Sequence, residues 1–160
     1  MTSLAALVSA IFIAAVGPSL GSVTGAADWI HGNVTAVQLQ GKVVLVDFYT
    51  FDCINCKHTE PNLRSLYANN PRKDLVIIGV HSPETSYERD RANLIASLAD
   101  QGIAWPVVVD NDFKVWNAYG VTAWPTQMVF DRKGVLRQTF VGEGYDNELD
   151  SLVASLIAER

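Results

Sequence analysis

The chain contains two cysteines, and they stand three apart, as Cys53-Ile54-Asn55-Cys56. Directly before them runs Val43-Val44-Leu45-Val46-Asp47-Phe48, an apolar stretch broken by a single carboxylate. Such a run reads as a strand buried on both faces, and the residues after Cys56 read as a helix. A strand that delivers Cys-x-x-Cys to the first turn of a helix lets two thiols close into a bridge and reopen with little backbone movement. It also sets the first sulfur beside the unpaired N–H groups of the helix N-terminus, where a thiolate is favoured. The spacing therefore points to thiol–disulfide redox chemistry. A structural bridge fits less well. So short a loop gives little loop-closure stabilisation, and 160 residues with 49% hydrophobic side chains can build a core without staples. Zinc would need two further ligands from His31, His58 and His81, and His58 lies too near Cys56 for familiar zinc spacings. The net charge is −5 with no Lys/Arg cluster, which leaves nucleic-acid binding without an electrostatic footprint.

No charged side chain occurs from Met1 to Ala27, and Leu4 to Val16 is a nearly continuous apolar run ended by Gly17 and Pro18. The pattern is that of a secretory signal, with small residues at Gly25 and Ala27 to serve cleavage before Asp28, although the usual Lys/Arg near the start is missing. Three other readings stand beside it. Thr2 to Leu20 is about long enough for a membrane anchor. It also fits the tail of a transmembrane helix from a longer protein, or a helix packed on the domain. The expected organisation is residues 1–27 as signal or anchor and 28–160 as one domain. The export readings put the redox pair outside the cytoplasm.

The remaining pattern alternates strand and helix. The spacing predicts a strand at Val43–Tyr49 and a helix over Cys53–Asn69 kinked at Pro61. Next come a strand at Leu75–Val80, a helix over Tyr87–Gln101 ended by Gly102 and a short strand at Pro106–Val109. A brief helix over Asp112–Tyr119 should follow, capped by Asp110, Asn111 or Asp112. Strands Thr126–Phe130 and Val135–Val141 are joined by Asp131-Arg132-Lys133-Gly134, and an amphipathic helix covers Asn147–Glu159. The early alternation implies parallel strands and the late hairpin an antiparallel edge, giving an α/β domain whose mixed central sheet has helices on both faces.

From Asp28 onward this order resembles the thioredoxin superfamily. Asp47 lies six residues before Cys53, as the buried acid of thioredoxins does. Cys53 and Cys56 match the redox pair, Pro61 the kink proline, Trp124-Pro125-Thr126 the cis-proline loop and Gly142 the glycine after the last strand. The insertion between Val80 and Trp105 is similar to that of the TlpA-like branch. Phe51-Asp52-Cys53-Ile54-Asn55-Cys56, Gly79-Val80-His81-Ser82-Pro83-Glu84 and Gly142-Glu143-Gly144 resemble the thioredoxin-like domain of DipZ-type proteins. Most TlpA-like members carry Trp before the first cysteine and Glu three after the second. Here those positions are Asp52 and Thr59, and Glu60, displaced by one, is not given that glutamate's role.

The resemblance implies a thioredoxin-like fold with a TlpA-type insertion, no bound cofactor and no metal. It also implies protein disulfides as substrates and a membrane thiol donor of the CcdA or DsbD type. A monomer is expected. In this reading Cys53 is the nucleophile and Cys56 the resolving thiol. Asp47 handles the proton of Cys56, and Pro125 lies against the pair. Trp124, Asp52, Ile54 and Asn55 border the bound partner. Asp52, a carboxylate beside Cys53 with no positive charge between the cysteines, opposes thiolate formation and leans the couple toward a reductant, unless it points to solvent and is screened. A second enzyme class stays open. Thr50-x-x-Cys53 reproduces part of a peroxiredoxin loop, but the proline expected four residues earlier is Val46. A third class is a binding module or metal carrier on the same fold.

Overall fold

The computed structural model describes residues 17–159, so the apolar run at Leu4–Val16 lies outside the described residues. Six strands form one sheet in the order β1-β4-β3-β2-β5-β6. β2 (Val43–Tyr49) is central, and all seven of its residues are buried. It runs parallel to β3 (Leu75–His81), which runs parallel to β4 (Val107–Val109). On its other side β2 meets β5 (Thr126–Phe130) antiparallel, and β6 (Leu136–Val141) pairs with β5. The two-residue β1 (Trp29–Ile30) closes the far edge antiparallel to β4. This is the mixed sheet that the strand and helix order predicts.

The period of β2 sorts the helices. Val43, Leu45 and Tyr49 face one core with Leu63 and Leu66 of α3 (Ile54–Asn69), Leu94 and Leu98 of α4 (Arg91–Asp100), and Leu149, Val153 and Leu156 of α6 (Asp146–Ala158). Val44, Val46 and Phe48 face a second core with Val115, Trp116 and Tyr119 of α5 (Lys114–Tyr119) and Leu39 of α2 (Ala36–Leu39). Successive strand residues point to opposite faces, so Asp47 falls on the α3 side, beneath the cysteine helix. Its register partner Gly79 leaves little room for a side chain. An added Cβ would meet Tyr49, Val107 and Trp105 at 3.1 to 3.3 Å.

Two helix starts differ from the sequence expectation by two residues or more. The helix expected from Tyr87 begins at Arg91, because the Asp90 carboxylate accepts the N–H groups of Ala92 and Asn93 and fixes the cap there. The one expected from Asp112 begins at Lys114, and its free N–H groups, on Val115 and Trp116, go to the buried Asp110 carboxylate.

A helix also precedes Asp28. α1 (Leu20–Thr24) sets a fully buried Val23 into the second core. Among the described residues no helix is long and apolar enough to cross a membrane. A chain cut before Asp28 would lose Val23 from the core. Val23→Ala is expected to lower the unfolding free energy by about 2 kcal/mol, the scale of one buried aliphatic side chain, read as a lower urea midpoint.

Candidate active site

The site lies at the carboxyl ends of β2 and β3, where the chain leaves the sheet through Thr50-Phe51-Asp52 and enters α3. Cys53 is the N-cap of α3, and its sulfur accepts the N–H of Cys56 at 3.3 Å. A helix N-terminus presents donors without intrahelical partners, and here a cysteine sulfur takes one of them, as Ser or Asp does in ordinary caps. Cys53 is half-buried and Cys56 is 1% exposed, one turn deeper in the core. Burial, and next to it the sulfur of Cys53, push the Cys56 thiol far above its usual range. The two thiols thus differ in surroundings: the outer sulfur is half open to solvent, and the inner one is buried where the neutral thiol is favoured.

Asp47 is buried in the apolar wall below. Burial pushes its carboxyl up to about 7; the facing Gln127 side chain works against that shift, and the charge of Glu60 adds to it. Glu60, one helical turn after Cys56, is itself 6% exposed and pushed up to about 7, chiefly by burial, with Arg64 and Lys57 opposing. Its Oε2 accepts from Arg64 at 3.4 Å. Two carboxyls near Cys56 are therefore pushed up to about 7, whereas the sequence analysis singled out Asp47 alone. The Cys56-to-Glu60 spacing of four residues on one helix was the signal for the second.

The peptide bond Trp124–Pro125 is cis, and no other cis bond occurs among the described residues. β5 starts at Thr126 opposite Phe48, so Pro125 flanks the end of β2 where the chain turns toward Cys53, and its carbonyl accepts the N–H of Gly142 at 2.8 Å. Trp124 is half-buried against Trp116 (centroids 4.6 Å apart) and packs on both cores, the α3-side one together with Cys53. Beside the outer thiol, Ile54 is 62% exposed, and Asn55 is also exposed. The Asp52 carboxylate turns to Lys57 at 3.1 Å in an exposed ion pair, so solvent and a cation both screen its charge. Opposite, His58 Nδ1 pairs with Glu143 Oε2 across the α3 and β6 ends of the site. Among the described residues no cluster of three or more His, Cys, Asp or Glu is arranged to hold a metal ion.

The family model described as AhpC/TSA matches residues 22–139 of this chain. The chain belongs to the AhpC/TSA family. Its fold is thioredoxin-like, and a thiol-disulfide isomerase of Corynebacterium glutamicum superposes on it with a TM-score of 0.77, at 26% identity, over 84% of this chain and 94% of the other. Protein DipZ of Mycobacterium tuberculosis is 35% identical over 144 residues, 88% of this chain but 20% of DipZ, so the chain spans about a fifth of that relative. Thiol-disulfide oxidoreductase YkuV of Bacillus subtilis is 29% identical over 138 residues and is matched along 93% of its length.

Within this family fold, the sequence analysis gave no role to the carboxylate that organises the loop before Cys53. Glu88 is 1% exposed and lies between β3 and α4. Its Oε1 accepts the hydroxyl of Thr50 and the N–H of Asp52 (3.2 Å), and its Oε2 accepts the N–H groups of Glu84 (3.0 Å) and Thr85 (2.7 Å). The signal was present as Thr85-x-x-Glu88, a capping-box spacing, hidden because the helix was expected from Tyr87. His81 is fully buried, stacked on Phe51 and 3.4 Å from Thr50 Oγ1, and burial pushes its imidazole down to about 4.

Proposed function

We propose that this chain reduces protein disulfides outside the cytoplasm, cycling Cys53 and Cys56 between dithiol and disulfide. The observation that carries the proposal is the sulfur of Cys53 capping α3 while Cys56 lies buried one turn below. In the forward half-cycle the Cys53 thiolate attacks one sulfur of the partner disulfide. A Cys53–partner bond forms, the partner's S–S bond breaks, and the partner's second sulfur leaves as a thiolate that solvent protonates. Cys56 then gives its proton to the Asp47 carboxylate, through water, and attacks Cys53 Sγ. The Cys53–Cys56 bond forms, the mixed disulfide breaks, and the partner leaves reduced. Asp47 suits this step because its carboxyl titrates near neutrality, and the charge of Glu60 adds to the upward shift that lets it take the proton. The cis-proline loop, Trp124 and Ile54 receive the partner segment. Two electrons return to the disulfide from a membrane thiol carrier of the CcdA or DsbD type.

The location rests on the uncharged, apolar stretch that opens the sequence. The direction rests on the absence of positive charge at Ile54 and Asn55 between the cysteines. The potential of the couple, measured against glutathione, is expected nearer that of thioredoxin (about −270 mV) than that of DsbA (about −120 mV). A value near the latter would reverse the direction of electron flow. A thiol peroxidase is the less fitting reading, because the Thr50 hydroxyl is fully buried and committed to Glu88. Stopped-flow peroxide consumption faster than insulin reduction would overturn that ranking.

A further inference from the structure

We infer that Glu88 is a positioning residue for Cys53: it ties the inserted segment to the cysteine loop and holds a buried negative charge on the backbone N–H one residue before the nucleophile, so that the couple is more reducing than the cysteine helix alone would make it. The inference rests on the redox reading of Cys53 and Cys56.

The geometry has three parts. Four donors converge on one carboxylate, and they come from two separate loops. Thr50 and Asp52 belong to the passage from β2 to α3, Glu84 and Thr85 to the passage from β3 to α4. Glu88 returns a bond of its own, its N–H donating to Thr85 Oγ1 at 3.3 Å. The turn is thus closed from both ends before it reaches the cysteine loop. The loop it grips is short. Cys53 N–H donates to the Thr50 carbonyl at 3.3 Å, so fixing the Thr50 side chain and the Asp52 backbone fixes the frame from which Cys53 starts the helix.

The carboxylate is also ionised. Burial opposes its charge, but the Thr50 hydroxyl and the N–H groups of Thr85 and Asp52 outweigh burial and hold the carboxyl below its usual range. A carboxylate that accepts several N–H bonds keeps its charge. That charge is bonded one residue from Cys53 and is shielded from water. Asp52, the anion nearest in sequence, is exposed and paired with Lys57. Burial decides between the two, because solvent and salt screen an exposed charge and act far less on a buried one. An anion beside Cys53 disfavours the thiolate form and leaves the disulfide untouched. It therefore favours the oxidised side of the couple and makes the dithiol the stronger reductant.

The test is the equilibrium of the full chain with reduced and oxidised glutathione, in which two glutathione thiols convert the Cys53–Cys56 disulfide to the dithiol and one glutathione disulfide. Glu88→Gln removes the charge and keeps the size. Its equilibrium constant is expected to move about three- to tenfold toward the dithiol, as a unit charge at loop distance allows; tenfold corresponds to about 30 mV to less negative potential. Glu88→Asp keeps the charge and should stay close to the parent. If Glu88→Gln does not fold, Thr50→Val carries the test. The anion then keeps its charge but loses a donor dipole, and the potential is expected to move the other way, to more negative values. A potential unchanged in Glu88→Gln, or in Thr50→Val where that variant stands in, overturns the assignment while leaving the redox reading in place. A parent chain without a measurable couple overturns both.

Discussion

Cys53→Ser is expected to abolish disulfide reduction, and Cys56→Ser is expected to convert the chain into a trap. The two sulfurs are chemically alike and differ in position. Cys53 sits at the helix start with a backbone N–H on its sulfur, and Cys56 is closed off from solvent. A serine hydroxyl does not replace a thiolate nucleophile, so the first variant should fall to the background rate with insulin as substrate. In the second variant the first exchange still occurs. The Cys53–partner bond then has no internal thiol to break it, and covalent adducts should accumulate and disappear with dithiothreitol on a non-reducing gel. Adducts from Cys53→Ser with Cys56 intact would reverse the order of attack. An absence of adducts from Cys56→Ser in the presence of an oxidised protein substrate would remove the mixed-disulfide route altogether. The experiment is sharp because the alternative assignment asks a sulfur at 1% exposure to meet a macromolecular disulfide first.

The parts of the site that were legible in the sequence are those fixed by local order. Val43–Tyr49 reads as a strand because it is apolar without interruption save one residue, and that residue, Asp47, stands out for the same reason. The place of Cys53 at the helix start and of Pro61 inside α3 follows from spacing along one stretch of chain, while the cis peptide before Pro125 was implied by the family resemblance. What escaped was non-local. Glu88 lies thirty-five residues after Cys53, and its role exists because β3 pairs in parallel with β2 and brings the two following loops to one end of the sheet. Glu60 was set aside because it missed a familiar position by one. Its burial depends on the wall formed by the sheet face beneath α3, which no helical pattern specifies by itself. Asp52 was read either as a tuning charge or as a screened one facing solvent; the fold turns it outward to Lys57 and places the buried anion elsewhere. A helix packed on the domain was one of several readings of the first 27 residues, but Val23 is one apolar residue among many there, and only the second core shows that it is packed.

Replacing Asp47 with asparagine should make the protein more stable and the enzyme slower, and the stability gain should depend on pH in a definite direction. The folded carboxyl titrates at about 7, against 3.8 in the unfolded chain. Between those values the native state holds a proton that the unfolded state has released. Stability therefore falls as pH rises through that window, and it remains reduced above it. A shift of that size amounts to about 4 kcal/mol at full development. Asparagine carries no such proton, so Asp47→Asn should differ little from the parent in pH dependence below pH 4 and gain about 2 to 4 kcal/mol on it by pH 8, measured by urea unfolding at both values. His81 pulls the other way, since its imidazole is pushed down to about 4 and its contribution grows as pH rises from 4 to 6.5. It titrates in both proteins, as Glu60 does, and to first order the difference between them removes both. Activity should move oppositely to stability. Without a base beneath Cys56 the resolving step is expected to slow by about a hundredfold, the lower end of what a positioned proton acceptor contributes, and mixed disulfide should persist in single-turnover samples. Equal pH slopes for the two proteins would mean that the carboxyl is not held protonated by its surroundings. An unslowed resolving step would mean that Cys56 loses its proton by another path, and Glu60, buried one turn further along the same helix, would be the group to replace next.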